Sequence, residues 1–206
     1  MARARAGRTQ RERTAATTTA LVSAAHELFG GDGYEATSLD AVAVAAGVTK
    51  GALYHLFDSK RELFAAVVAR EVERLAAAAR TAYLAEADPW TGFEAGCRAF
   101  LEACRQPRTQ RIVLLDAQPA LGWDTIRELE GEMLSMMAVG IERAISAGRI
   151  APRPAGPLVS LLFGALCEGA MVVARAEDPS AAQMAMLAEV RRLLHGMSAE
   201  TGAVAT

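Results

Sequence analysis

TSLDAVAVAAGVTKGALYHLFDSK, residues Thr37 to Lys60, is the stretch whose reading decides the fold. It starts and stops helices by local chemistry. Thr37 is placed as an N-cap, with Asp40 three residues on to complete a capping box. Leu39, Val42, Ala43 and Ala46 then recur at helical spacing. Gly47 interrupts them where a tight turn needs a residue tolerant of positive φ. Thr49 caps a second short helix, with Ala52, Leu53, Leu56 and Phe57 on its buried side. Ser59 and Glu62 form a further capping box that opens a third helix. A small Ala43 at the crossing and a glycine at the bend suit two helices that meet steeply over a short turn.

Any small helical protein holds two helices joined by a turn somewhere. Here caps, apolar spacing and the exposed remainder of the second helix agree. That remainder is Lys50, Gly51, Tyr54 and His55, with no acidic residue among them. Such a helix is shaped to lie in the major groove of double-stranded DNA. The expected contacts are Thr49, Lys50, Gly51, Ala52, Tyr54 and His55, flanked by Thr37, Ser38 and Lys60. Arg11 and Arg13 join them from a basic arm, in which Arg3, Arg5, Arg8, Arg11 and Arg13 face only Glu12. The arm is read as mobile, and for Arg3 and Arg5 a solvated tail is an equal alternative. The two lysines of the chain, Lys50 and Lys60, both flank the second helix.

The stretch from Thr17 to Phe64 resembles the N-terminal domain of the TetR family of bacterial transcriptional regulators. The resemblance rests on Ala25, Leu28-Phe29, Gly33-Tyr34-Glu35-Ala36-Thr37-Ser38, Val42-Ala43 and Ala46-Gly47-Val48-Thr49-Lys50-Gly51. Leu53-Tyr54, Phe57, Ser59-Lys60 and Leu63-Phe64 extend it. It covers about the first third of the chain. It implies phosphate contacts for Lys50 and Lys60, a homodimer, and a small-molecule effector bound by the remaining helices. Members often carry His just before the Phe. Here that position is Leu56, and His55 comes one residue earlier.

The rest of the chain predicts an all-α protein in two parts: residues 1–60 for DNA, and 61–206 for ligand and dimer. It is rich in Ala, Leu, Arg and Glu, with 5% aromatic residues and few strand formers. The net charge of −2 excludes a generally basic protein, so positive charge must act locally. Helices are expected over Gln10–Phe29, Ser59–Ala85 and from Asp88-Pro89, the last an N-cap followed by Pro at the first helical position. Others follow from Pro107, broken near Pro119 and Gly122, over Trp123–Ala147, over Leu158–Ala176, and from Asp178-Pro179 to His195. The apolar run Leu158–Ala174 is short for a membrane span and is interrupted by Ser160 and Glu168, so a buried helix is expected. No signal peptide is read at the basic N-terminus, and the expected compartment is the cytoplasm.

No catalytic constellation, cofactor loop or metal-ligand spacing is legible. His26, His55 and His195 are scattered, with His26 read as a surface residue. Cys97, Cys104 and Cys167 read as buried apolar thiols. Asp116 and Glu168 stand inside apolar runs and either pair structurally or meet a ligand. The candidate effector pocket is Phe93, Cys97, Phe100, Leu114, Gln118, Trp123, Met133, Met137, Phe163, Cys167 and Met171. For each of these alone, ordinary core packing is the simpler reading; together their soft, apolar side chains suit a hydrophobic or amphipathic compound. The dimer surface is expected on the last two helices, with Leu162 and Leu187 in it and Gly164 and Gly169 admitting a partner helix.

Overall fold

The computed structural model describes the backbone of residues 2–198 and the side chains of residues 10–198. The side chains of Arg3, Arg5 and Arg8, and the tail after Ser198, lie outside the described residues. Within them the chain is helical. The only extended pairing is a single bridge between Ile150 and Ser198. The helices are α1 (Ala2–Asp32), α2 (Leu39–Ala45), α3 (Lys50–Leu56), α4 (Lys60–Leu84) and α5 (Pro89–Ala103). Next come α6 (Pro107–Thr109), a π-helical segment (Gln110–Asp116), α7 (Ala117–Leu121) and α8 (Trp123–Leu129). The chain closes with α9 (Gly131–Ser146), α10 (Ala155–Ala174) and α11 (Pro179–Met197).

The helix ends follow the capping chemistry, with two corrections. Ser38, not Thr37, is the N-cap of α2, and its hydroxyl accepts from Ala41 N at 3.1 Å. Thr37 points inward instead and donates to the Gly33 carbonyl at 2.8 Å. Asp40 therefore sits one place early for a capping box and is left to pair with Lys50. At Ser59, the hydroxyl accepts from Glu62 N, but Glu62 Oε2 accepts from Asp58 N, at 2.7 Å, rather than from Ser59 N. Gly47 behaves as expected. Its φ is +66°, and the bonds Gly47 N to Val44 O and Val48 N to Ala43 O close a left-handed C-cap.

Four boundaries differ from the sequence reading. The basic arm continues α1 to Ala2, because Ala and Arg are both strong helix formers and outweigh the single Gly7 in the run. The predicted Trp123–Ala147 helix is broken at Glu130 into α8 and α9. Pro119 lies inside α7, leaving Gly122, at φ +76°, as the break. The segment after Pro107 is wound as a π-helix over most of its length.

One apolar core runs through the molecule, from Leu21, Phe29 and Leu53 at the head to Ile141, Phe163 and Leu194 at the far end. α4 is its spine, packing on α1 near its start and on α5 along its length. Phe29, Tyr34 and Phe64 form an aromatic cluster, with ring centroids 4.7–5.9 Å apart, that fixes α1 and the Gly33–Thr37 turn to α4. α10 has the length and mean hydropathy, 1.9, of a membrane span, yet only 39% of it is buried. The subunit's own core covers only one side of it. Val159, Leu162, Phe163, Leu166, Ala170 and Val173 face the core, whereas Leu161 is 72% exposed and Val172 47%. Leu162 belongs to the subunit's own core. Gly169 does too: a Cβ there would meet Met186 Sδ at 2.9 Å, so this glycine lets α11, not a partner, approach α10. Gly164 faces open space.

Candidate nucleic-acid interface and effector cavity

α3 is held from beneath and left bare above. Leu53 is fully buried and Phe57 nearly so, while Ala52 and Leu56 are half-buried. Thr49 Oγ1 accepts from Ala52 N at 3.2 Å and fixes the start of the helix. Lys50, Gly51, Tyr54 and His55 point outward, and Tyr54 is 49% exposed despite its aromatic ring. Arg11 and Arg13 are exposed on α1. Lys50 Nζ lies 2.5 Å from Asp40 Oδ2, and this bond and charge hold the ammonium's pKa above its ordinary value. That pair is solvated, so an arriving phosphate can compete for it at little cost.

Three flanking residues are placed differently from the sequence reading. Thr37 is 4% exposed, with its hydroxyl committed to Gly33, and offers no surface to DNA. Ser38 is exposed, but its hydroxyl is spent on capping α2. Lys60 is turned inward: its Nζ donates to the carbonyls of Tyr34, at 3.0 Å, and Glu35, at 3.3 Å. It also sits 4.4 Å from the centre of the Tyr34 ring. This lysine staples the turn before α2 to the start of α4.

Between α4, α5, α9 and α10 lies an apolar cavity of about 40 Å³. Phe93, Cys97, Phe100, Met133, Met137 and Phe163 line it, as the sequence reading expected. The other five expected residues are elsewhere. Leu114 is packed in the core, Gln118 and Trp123 face solvent, and Cys167 and Met171 lie half-buried on α10 away from the wall. Ala79, Tyr83, Gly96, Met136, Gly140 and Leu166 complete the lining and were not anticipated. Glycine and alanine carry no apolar signal strong enough to mark a wall. Desolvation by the surrounding side chains pushes the thiols of Cys97 and Cys104 up to about 12 and that of Cys167 higher still. None is a thiolate at neutral pH.

Residues 21–67 match the family described as bacterial regulatory proteins, tetR family, and residues 90–197 match the tetracyclin repressor-like C-terminal domain. The second match alone covers more than half of the chain. This chain belongs to the TetR family. A TetR-family transcriptional regulator from Pectobacterium atrosepticum is 33% identical, with a TM-score of 0.83 over 92% of this chain and 98% of that one. The Tn10 TetC protein of Escherichia coli is 28% identical over 130 residues, which is 61% of this chain and 64% of TetC. The transcriptional activator FasR of Mycolicibacterium smegmatis is 39% identical over 82 residues, 40% of this chain and 37% of FasR. This chain thus spans just under two thirds of TetC and little more than a third of FasR.

Two further features of this TetR-family chain tie α1 and the start of α4 to the helices that follow. Arg61, in the first turn of α4, donates to the carbonyls of Ala120, at 3.3 Å, and Leu121, at 2.5 Å, and to Thr125 Oγ1. The head is therefore tied to the α7–α8 corner. Nearby, the buried Glu71 of α4 accepts from His26 Nε2 of α1 at 3.0 Å, from Arg74 at 3.0 Å and from the Thr109 hydroxyl at 2.8 Å. Burial pushes the Glu71 carboxyl up, but the bonds from Arg74 and Thr109 and the charges of Arg74 and His26 outweigh it, so its pKa is lowered. His26 is not the free surface residue the sequence suggests; its side chain is 21% exposed and bridges α1 to α4. Asp116 likewise serves structure: Oδ2 accepts from Tyr34 N at 2.8 Å, and Arg111 lies 3.5 Å away. Glu168 is exposed on α10 and does not line the cavity.

Proposed function

We propose that the chain acts as a homodimeric transcriptional repressor whose two α3 helices read a near-palindromic DNA operator. A small hydrophobic or amphipathic effector, bound in the α4–α5–α9–α10 cavity, releases it. The observation that carries this reading is the bare face of α3, where Thr49, Lys50, Gly51, Tyr54 and His55 are presented without apolar cover. The half-exposed apolar stripe of α10, with Leu161 and Val172 on it, supplies the surface for a second copy. Two heads on a two-fold axis would meet half-sites about one helical turn apart. Arg61 supports the coupling. A shift of α8 that admits an effector pulls on the residue that opens α4, next to α3. Effector binding then favours a conformer whose heads no longer match successive grooves. The setting is the cytoplasm, and the chain does no chemistry of its own.

The experiment is a salt-dependent gel shift with DNA from around the protein's own gene, repeated with candidate effectors. Binding that falls steeply with salt, prefers one near-palindrome and is relieved by an apolar compound is the expected result. Failure to bind any such DNA in a folded dimer overturns the reading. An activator is the second reading, favoured by the identity to FasR. Expression of the neighbouring gene falling, rather than rising, when this chain is deleted identifies that case.

A further inference from the structure

The cavity is too small as it stands for the effector the proposed function requires. Pockets for such ligands run to several hundred Å³, and this one offers about 40 Å³. Something in its wall must move. α8 lies behind that wall, where Arg127 rests on Phe163, and is the element with least to lose: none of its seven residues is fully buried, it lacks a side-chain cap, and it lies between the Gly122 break and Gly131. Elements with few buried contacts open at the lowest cost.

Ile126 and Leu129 pack on the core and Thr125 is bonded to Arg61, and Arg127 adds the contact that joins α8 to the cavity wall. Its guanidinium carbon lies 5.3 Å from the centre of the Trp123 ring and 5.9 Å from that of Phe163. Its Nη1 is 3.3 Å from Glu130 Oε2. Phe163 is 4% exposed and is itself cavity wall, so the guanidinium rests on the outer face of the binding site. Two aromatic faces and a carboxylate, only 15% exposed, form a box complementary to a positive charge. Arg127 fills it from within the chain.

Resting on the effector reading above, we infer that Trp123, Phe163 and Glu130 form a cation site beside the cavity, sharing Phe163 with its wall. Arg127 occupies it as an internal surrogate, and the effector is an apolar molecule with a cationic head that displaces Arg127. An anionic head is disfavoured by the same geometry. To reach Arg127 it must expel Glu130, leaving that carboxylate buried without a counter-ion beside a second negative charge. Burial already pushes the Glu130 carboxyl up, even with the Arg127 bond in place. A cation arriving at Glu130 meets no such conflict, because Arg127 is 31% exposed and can swing into water.

The test uses three probes of equal chain length on the full chain, below their micellar concentrations: n-decylguanidinium, 1-decanol and decanoate. Affinity is read by calorimetry. Decylguanidinium should bind about tenfold more tightly than decanol, and decanoate more weakly than either. Glu130→Gln and Trp123→Ala should each remove most of that preference. Trp123 is 62% exposed, so its loss leaves the fold intact even if Glu130→Gln does not. Arg127→Met removes the internal competitor and should tighten decylguanidinium several-fold. Decanoate binding best, or Arg127→Met weakening the cation, overturns the inference. If decanol matches decylguanidinium, the effector cavity stands and the cation site falls. If none of the three binds, the cavity reading falls and takes this inference with it.

Discussion

Replacing Glu71 by Ala tests whether the buried junction of α1, α4 and α6 is a stabilising network or a tolerated burial of charge. The side chain is 5% exposed and collects bonds from three donors. Not all of them suffer equally when it is removed. Arg74 is 43% exposed and turns into water, so its lost ion pair is worth little. Thr109, 1% exposed, is left with a buried hydroxyl hydrogen and no acceptor, at about 1–3 kcal/mol. His26, with 21% of its side chain exposed, loses a bond worth roughly 1 kcal/mol after partial rehydration. The sum is about 2–4 kcal/mol, or a fall in Tm of roughly 4–16 °C for a chain of this size. The pH dependence supplies an independent sign. The folded carboxyl titrates below its ordinary 4.5, so its contribution is complete above that value and is lost as pH falls through the lowered one. Paired thermal melts between pH 3 and pH 7 should show the gap between wild type and Glu71→Ala widest at neutral pH and closing in acid. A gap under about 2 °C at pH 7, or one that does not narrow on acidification, would refute the reasoning.

Asp40→Asn should strengthen binding to non-operator DNA at low salt, since it frees Lys50 and removes an anion from the groove-facing surface; Lys50→Ala should lower the salt slope by about one, both read by fluorescence anisotropy. Cys97→Leu fills the apolar cavity, so a promoter–reporter assay should show repression intact and effector response lost, with thermal stability held within about 1 kcal/mol. Leu161→Glu, at an exposed position, should give a folded monomer by light scattering that no longer holds the operator. Leu162→Glu is not an equivalent test, because Leu162 is 6% exposed within its own subunit and its loss unfolds the monomer as well.

Helix ends were legible wherever one residue's chemistry decides them. Asp88 accepts from Trp90 N and Thr91 N, Asp178 from Ser180 N and Ala181 N, and Gly47 takes the positive φ. Where two neighbours compete for one role, local reading fails: Thr37 and Ser38 can each cap, and only the Gly33 carbonyl, reached through the fold, draws Thr37 away. Charge was misread for a similar reason. Lys60 and His26 look like free surface groups in sequence, yet carbonyls and a carboxylate from distant segments claim them. For the cavity, helical periodicity identifies a residue as inward-facing but not which void it faces. Phe93 and Met137 were therefore found along with Leu114, while Gly96 and Gly140, which make room by having no side chain, were invisible.

The π-helical segment Gln110–Asp116 sets the phase of everything after it. A π-turn stores a surplus residue relative to an α-helix. Shortening the gene there by a single codon, at Val113 for instance, would let the segment relax into regular α-helix with the residues beyond it kept close to their present phase. Asp116 would stay against Tyr34, and the carbonyls of Ala120 and Leu121 would stay within reach of Arg61. The surplus residue works as a shim. A one-codon deletion that removes no buried side chain is absorbed there, whereas the same deletion inside a regular α-helix turns every residue beyond it by about 100°.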